Sequence, residues 1–134
     1  MTDQEALRQQ IQAMINKSTR ALGAAKEHLA HRDHDFASSK AYYAVFHLMQ
    51  AALLTKGRTY SKHAGVISGF SEQFIKPGIF PKSFGEAVQR LRKDRELGDY
   101  GYQLSVTSEE ACNDVATARE IVDSILKYLR PFVS

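Results

Sequence analysis

The sequence predicts an all-α fold, an antiparallel, up-and-down bundle of about five helices. Apolar residues recur at steps of three and four along most of the chain, whereas the strict alternation typical of strands is not found. The polar joints between these segments are short, which favours neighbouring helices that run in opposite directions. A length of 134 residues, without an internal repeat or linker, indicates one domain spanning residues 1–134.

The first two helical segments are long and differ in their apolar pattern. Thr2 and Glu5 form a capping-box sequence, after which a single apolar stripe covers residues 7–29. Asp33 is the expected N-cap of the second helix, roughly residues 33–56. Apolar side chains occupy two adjoining sides of this second helix. We therefore expect it to contact more than one neighbour and to lie at the centre of the bundle.

The third and fourth helices are expected to be shorter. Ser61 is the predicted cap of the third, and the Pro77-Gly78 pair should end it. Pro81 opens the fourth helix, because proline suits the first helical position. The apolar row of the fourth helix consists of Phe84, Val88 and Leu91.

The last helix has the cleanest apolar period in the chain. Thr107 and Glu110 make a second capping-box sequence at its start, and Pro131 is expected to stop it. The single cysteine, Cys112, falls inside this helix, where we expect a small buried thiol rather than a nucleophile. One cysteine allows no intrachain disulfide, and a reducing compartment fits that composition.

The net charge and the hydropathy of the sequence limit the classes of protein to which it can belong. The formal net charge is +3, an excess that permits contact with RNA or a nucleotide but does not require it. The first residues lack the basic and apolar regions of a signal peptide, and no apolar run reaches membrane-spanning length. The expectation is a cytoplasmic protein with no membrane partner.

The densest group of polar residues lies at positions 95–102, which read Arg-Glu-Leu-Gly-Asp-Tyr-Gly-Tyr. Two glycines here are expected to break the fourth helix and to let backbone or ligand approach closely. Arg95 follows Leu91 by four residues, so it should lie on the face directed at other parts of the protein. Its guanidinium could pair with Asp99, four residues further on, or hold a phosphate through two parallel donors.

The two tyrosines of this segment have two interpretations each. Tyr100 and Tyr102 could pack their rings and bond their hydroxyls to backbone, or they could stack a base or accept a modification. Tyr100 is a poor general base, because a phenol titrates near ~10. Asp99 would be a better base.

Three segments together resemble the HEPN-domain proteins, in the small prokaryotic form often encoded beside a minimal nucleotidyltransferase. They are SKAYYAVFH at 39–47, SKHAGVI at 61–67 and RELGDY at 95–100. The resemblance implies a helical bundle that pairs with itself as a homodimer. Many members are metal-independent ribonucleases, used as toxins or in defence, in which the sites of two protomers face each other in one cleft.

The resemblance also implies roles for particular residues. The family motif is an arginine, four to six residues, and a histidine, with a tyrosine two places later that the partner enzyme of some toxin pairs modifies with AMP. Arg95 matches the arginine and Tyr102 matches the modified tyrosine. Tyr100 stands where the histidine is expected, and this is a departure from the motif.

The missing histidine bears on mechanism. Cleavage of RNA through its 2′-hydroxyl needs a proton acceptor poised near neutral pH, which histidine provides and a phenol does not. Activity would then depend on Asp99 or on a histidine from elsewhere in the fold. The candidates are His63, at the start of the third helix, and His47, on the second.

Two functions are consistent with these residues. In the first, the chain is a binding and partner module that docks a nucleotidyltransferase and contacts nucleotide or RNA through Arg95, Tyr100 and Tyr102. In the second, it is a ribonuclease toxin in which Arg95 stabilises phosphate charge while Asp99 or His63 moves protons. The missing histidine favours the first.

Neither function calls for a bound metal or cofactor, and none is expected. His28, His31 and His34 lie close to two aspartates, but their spacing matches none of the strong metal motifs. We interpret this segment as a charged, solvated joint.

Overall fold

The structure, a computed structural model, describes residues 2–101 and 105–134. Its regular elements are helical throughout these residues, which confirms the all-α bundle of five helices. A π-helical turn, Ser71–Ile75, continues the third helix. The helices are α1 (Asp3–Ala30), α2 (His34–Leu54), α3 (His63–Phe70), α4 (Lys82–Tyr100) and α5 (Ser108–Val133). In the described part of the chain, no helix has an apolar stretch long enough to cross a membrane.

The second helix is the centre of the bundle, as its broad apolar pattern predicts. α2 packs against α1, α3, α4 and α5, and it buries residues on most of its circumference. A helix that is apolar nearly all round is stable only when neighbours cover each side. The residues of α2 therefore meet side chains from every other helix, and this placement brings its aromatic residues to the functional site.

Both predicted capping boxes are present. The Thr2 hydroxyl accepts the backbone N–H of Glu5 at 3.1 Å, and the Thr107 hydroxyl accepts that of Glu110 at the same distance. Each glutamate in turn accepts the backbone N–H of its threonine, so two otherwise unpaired donors are satisfied at each helix start. Asp33 occupies the N-cap of α2 but makes no capping bond with its side chain.

Three of the expected boundaries are wrong by small amounts. Lys62, rather than Ser61, precedes α3, and Pro81 is the N-cap of α4 rather than its first helical residue. Pro131 does not stop α5, which continues to Val133. The final turn closes because the backbone N–H of Ser134 still reaches the carbonyl of Arg130 at 3.1 Å.

Cys112 is exposed, which corrects the expected buried thiol. The buried face of α5 begins with Ala111, Asp114, Val115 and Ala118, which follow one another at steps of three, one and three. The residue after Ala111 is rotated by about 100° around a helix of 3.6 residues per turn. This rotation carries the thiol to the outside.

Gly98 does not break α4, which runs on to Tyr100 before Gly101 ends it. Instead, the absence of a side chain at Gly98 lets the backbones of α4 and α2 approach each other closely. A β-carbon built on Gly98 would lie 2.9 Å from the carbonyl oxygen of Asp35 and 3.2 Å from its α-carbon. The last turn of α4 thus rests directly on the first turn of α2. Asp35 also accepts the backbone N–H of Val106 at 2.8 Å, so it holds the chain before α5 at the same place.

Candidate functional site

Arg95 lies near the C-terminal end of α4, and only 8% of the residue is exposed. It lies on the buried face, as its four-residue step from Leu91 predicts. One of its terminal nitrogens, Nη1, is 3.7 Å from Oδ2 of Asp99, which forms the expected ion pair. Its Nε atom is buried and has no hydrogen-bond partner within the described residues. The guanidinium therefore keeps donor capacity that this part of the protein does not use.

Three tyrosine rings surround this guanidinium. Its central carbon is 5.2 Å from the ring centroid of Tyr42, 5.7 Å from that of Tyr43 and 6.0 Å from that of Tyr100. A cation over an aromatic face gains about 0.5–1 kcal/mol when exposed and about 2 kcal/mol when desolvated. These rings offset part of the cost of burying Arg95 without neutralising its charge.

His63 joins the same group of residues. Its ring is stacked on that of Phe46, with centroids 4.1 Å apart, and its Nδ1 shares a 2.9 Å hydrogen bond with the hydroxyl of Tyr42. Tyr42 therefore contacts both the histidine and Arg95. We call Arg95, Tyr42, Tyr43, Phe46 and His63 the arginine cluster.

Burial and nearby cations set the protonation states in the arginine cluster. Burial raises the pKa of Tyr42 to about 12, although Arg92 and Arg95 oppose this rise, so the residue is a neutral phenol. Burial also lowers the pKa of His63, and the charges of Arg95 and Arg92 lower it further. A neutral imidazole beside a guanidinium can accept a proton while the arginine binds an anion.

The remaining predicted site residues that the structure describes differ in how far their side chains are exposed. The side chain of Asp99 is 23% exposed and is held by its ion pair with Arg95. Tyr100 is 70% exposed, so one side of its ring is open to a ligand or partner. Tyr102 lies outside the described residues. His47 is half-buried on α2, and burial lowers its pKa as well.

A buried polar group supports α4 immediately before Arg95. Asp94 and Asp114 are both buried, and the Ser38 hydroxyl donates to Oδ2 of Asp114 at 2.9 Å. Nε of Arg90 lies 3.4 Å from the other oxygen of Asp114. Burial, together with the neighbouring Asp94, raises the pKa of Asp114 to about 7. These contacts tie α2, α4 and α5 together beside the arginine cluster.

No local signal in the sequence indicates that Tyr42, Tyr43 and Phe46 meet Arg95, because these residues are about 50 positions away from it along the chain. The sequence does contain a signal for the two buried carboxylates. Asp94 follows Leu91 by three residues, and Asp114 follows Ala111 by three, so each stands inside an apolar row. Within residues 2–101 and 105–134, no three His, Cys, Asp or Glu side chains form a group that could hold a metal ion.

Comparison with known proteins adds an independent observation. The family model described as HEPN domain matches residues 11–128, which include the whole arginine cluster. A Methanocaldococcus jannaschii protein named "Putative toxin MJ0605" is 37% identical over 127 residues, covering 92% of each chain. A second protein of that organism, "Putative toxin MJ0142", is 30% identical and covers 78% of this chain and 71% of its own length. A UPF0332 protein of Thermotoga maritima is 34% identical over 69% of this chain and 70% of the relative.

Proposed function

Because the chain belongs to the HEPN family, we propose that it binds RNA or a nucleotide through the arginine cluster, as the binding module of a pair with a minimal nucleotidyltransferase. Relatives named as toxins support a role in such a two-component system. One observation carries the binding proposal. The guanidinium of Arg95 is buried against aromatic rings, and its Nε has no partner among the described residues.

The charges around Arg95 favour a phosphate as the ligand. Arg92 is near enough to lower the pKa values of both Tyr42 and His63, whereas Asp99 is the carboxylate paired with Arg95. Arginine binds phosphate through two parallel N–H donors, which is stronger and more directional than a single contact. A phosphate of RNA at Arg95 would leave a neighbouring base within reach of the exposed ring of Tyr100.

A homodimer is part of this proposal. Phe36 is 54% exposed at the start of α2, and Tyr100 is exposed at the end of α4. These two helix ends meet where Gly98 rests on Asp35, so the two rings belong to one end of the molecule. Burial of such rings against a second copy would remove apolar surface from water and enclose the arginine cluster.

Cleavage of RNA without metal is a second candidate function, and the position of His63 is the observation that favours it. A histidine of lowered pKa lies in the cluster with Arg95, although the motif position itself holds Tyr100. In this reaction His63 would take the proton of the 2′-hydroxyl while the 2′-oxygen bonds to phosphorus. The bond to the 5′-oxygen would break, and that oxygen would take a proton from water. Arg95 would stabilise the charge on the phosphate.

The test measures RNA binding and RNA cleavage separately, with EDTA present to remove metals. Wild type should bind a labelled single-stranded RNA, and Arg95→Lys, which keeps the charge but loses the planar fork, should bind it at least ten times more weakly. His63→Gln should keep the binding. If wild type cleaves RNA and both variants do not, the chain is a ribonuclease. If wild type binds RNA without cleaving it, the chain is a binding module. Failure of wild type to bind any of a range of RNAs or nucleotides would contradict both.

The partner is tested by co-expression with a nucleotidyltransferase encoded beside this chain. The two proteins should purify together, and mass spectrometry after incubation with ATP should find an AMP adduct on Tyr102. An unmodified Tyr102 would contradict the modification alone. Failure of the two proteins to associate would contradict the partner role.

A further inference from the structure

A groove of about 520 Å³ runs along the seam between α1 and α2 and shares only Tyr43 with the arginine cluster. One face of each helix lines it, since positions at steps of three and four share a face. Its principal lining residues are Lys17, Arg20 and Ala24 from α1, with Lys40, Tyr43 and His47 from α2. Seven residues of α1 rise by about 10 Å, so the groove is longer than a single phosphate group.

This groove is strongly positive. Lys17, Arg20 and Lys40 are exposed, and none of them forms an ion pair within the described residues. No carboxylate is among the described residues that line the groove. Burial lowers the pKa of His47 on the groove wall, and the charges of Lys17 and Arg20 lower it further. Three cations along a concave surface attract anions.

The groove borders the arginine cluster at Tyr43. Tyr43 lines the groove, and the guanidinium of Arg95 lies 5.7 Å from the centroid of the same ring. A second depression shares Lys17 and His47 with the groove and reaches Phe46, on which His63 is stacked. The groove and the second depression therefore each include one residue of the arginine cluster, Tyr43 in the first and Phe46 in the second.

We propose that the groove is an extended binding site for single-stranded RNA, which holds the phosphates that flank the one bound at Arg95. This inference rests on the proposed function, because it assumes that the arginine cluster binds RNA. Lys17, Arg20 and Lys40 follow the backbone, and the ring of Tyr43 stacks a base between the groove and the cluster. Cations beside an aromatic ring form the kind of surface that binds single strands without reading their sequence. An acidic peptide would use the cations but not the ring.

The experiment compares two oligonucleotides of 2′-O-methylated RNA, which cannot be cleaved through the 2′-oxygen. A dinucleotide fills only the arginine cluster, whereas an octanucleotide also reaches the groove. The groove variant is Lys17→Ala/Arg20→Ala. The control is Arg119→Ala/Lys127→Ala, which removes one lysine and one arginine, both exposed, from α5. Affinities are measured at several salt concentrations, and circular dichroism verifies that each variant is folded.

The groove variant should bind the octanucleotide at least ten times more weakly than the control does, and should bind the dinucleotide as wild type does. Its salt dependence should flatten by about 1.4 in the slope of log K against log salt, since each phosphate contact on a single strand contributes about 0.7. In wild type, the NMR signal of the Ala24 methyl should move with the octanucleotide and not with the dinucleotide.

If the groove variant and the control lose the same affinity for the octanucleotide, the groove is not an RNA-binding site, and binding at Arg95 is unaffected by that result. A polyglutamate peptide that competes as well as RNA would overturn the assignment to nucleic acid. If wild type binds neither oligonucleotide, the proposed function and the groove both fail.

Discussion

The close contact between Gly98 and Asp35 should make the protein sensitive to a single methyl group added at Gly98. In Gly98→Ala, the new β-carbon would lie 2.9 Å from the carbonyl oxygen of Asp35, whereas ordinary contacts begin at 3.4 Å. The obstacle is backbone, which cannot rotate away as a flexible side chain can. The two helix ends must therefore separate by about 0.5 Å, the difference between these two distances.

Two opposing free energies decide the outcome of this substitution. Alanine in place of glycine inside a helix gains about 1 kcal/mol. Overpacking of a close contact costs about 1–3 kcal/mol. Gly98→Ala should therefore lower the free energy of unfolding by up to about 2 kcal/mol, despite the better helix former. Because Arg95 lies one turn earlier on α4, the same shift should also weaken the RNA binding that we propose for Arg95.

Gly23 is the matched control, since it also lies inside a helix but a β-carbon added to it would have no atom of another part of the chain within 4 Å. Gly23→Ala should raise the free energy of unfolding by about 0.5–1 kcal/mol. Urea and thermal unfolding measure both variants. For a chain of this size, each kcal/mol corresponds to roughly 3–5 °C in Tm. The two melting temperatures should lie on opposite sides of the wild-type value.

Equal stabilisation of both variants would contradict the close contact between Gly98 and Asp35. It would mean that the last turn of α4 does not rest on Asp35. Destabilisation of Gly23→Ala would instead show that α1 is packed where the structure leaves it open.

The remaining predictions concern the titratable groups. In an NMR titration His63 should have a pKa below its usual range, because burial and the charges of Arg95 and Arg92 disfavour the imidazolium; Arg95→Gln should raise that pKa, and an unchanged value would contradict the contact. For Asp114, burial raises the pKa from near 3.8 to about 7, so the folded protein keeps a proton that the unfolded chain releases between these values. The stabilisation that comes from this proton is complete below the unfolded-state pKa near 3.8 and is lost as the pH rises through the folded-state pKa of about 7. Asp114→Asn, which can still accept the Ser38 hydroxyl, should reduce this fall in the free energy of unfolding; equal slopes against pH in urea unfolding would refute the assignment.

Local patterns predicted most of the fold because they act within one or two helical turns. The capping boxes at Thr2 and Thr107 depend on residues three apart, and both formed. The central place of α2 followed from its apolar residues on two sides. Gly98 was interpreted as a break because glycine weakens a helix, but it lies inside α4, where the absence of a side chain lets the backbone of Asp35 approach closely.

The candidate site was predicted only in part. The four-residue steps placed Arg95 on a buried face and paired it with Asp99, both of which the structure contains. The pattern of α2 could not tell which of its sides meets α4, so the rings of Tyr42 and Tyr43 beside the guanidinium were missed. His63 was named as a proton carrier on chemical grounds, and only the packing of α3 against α2 brings it to Tyr42.

The outward position of Cys112 has a practical consequence. It is the one thiol in the sequence, and its exposure lets a maleimide or nitroxide reagent reach it on the unaltered polypeptide. Each protomer would then carry a single spectroscopic reporter at a known place on α5. Dipolar coupling between two such reporters would reveal self-association directly, and its disappearance on dilution with unlabelled protein would verify the measurement.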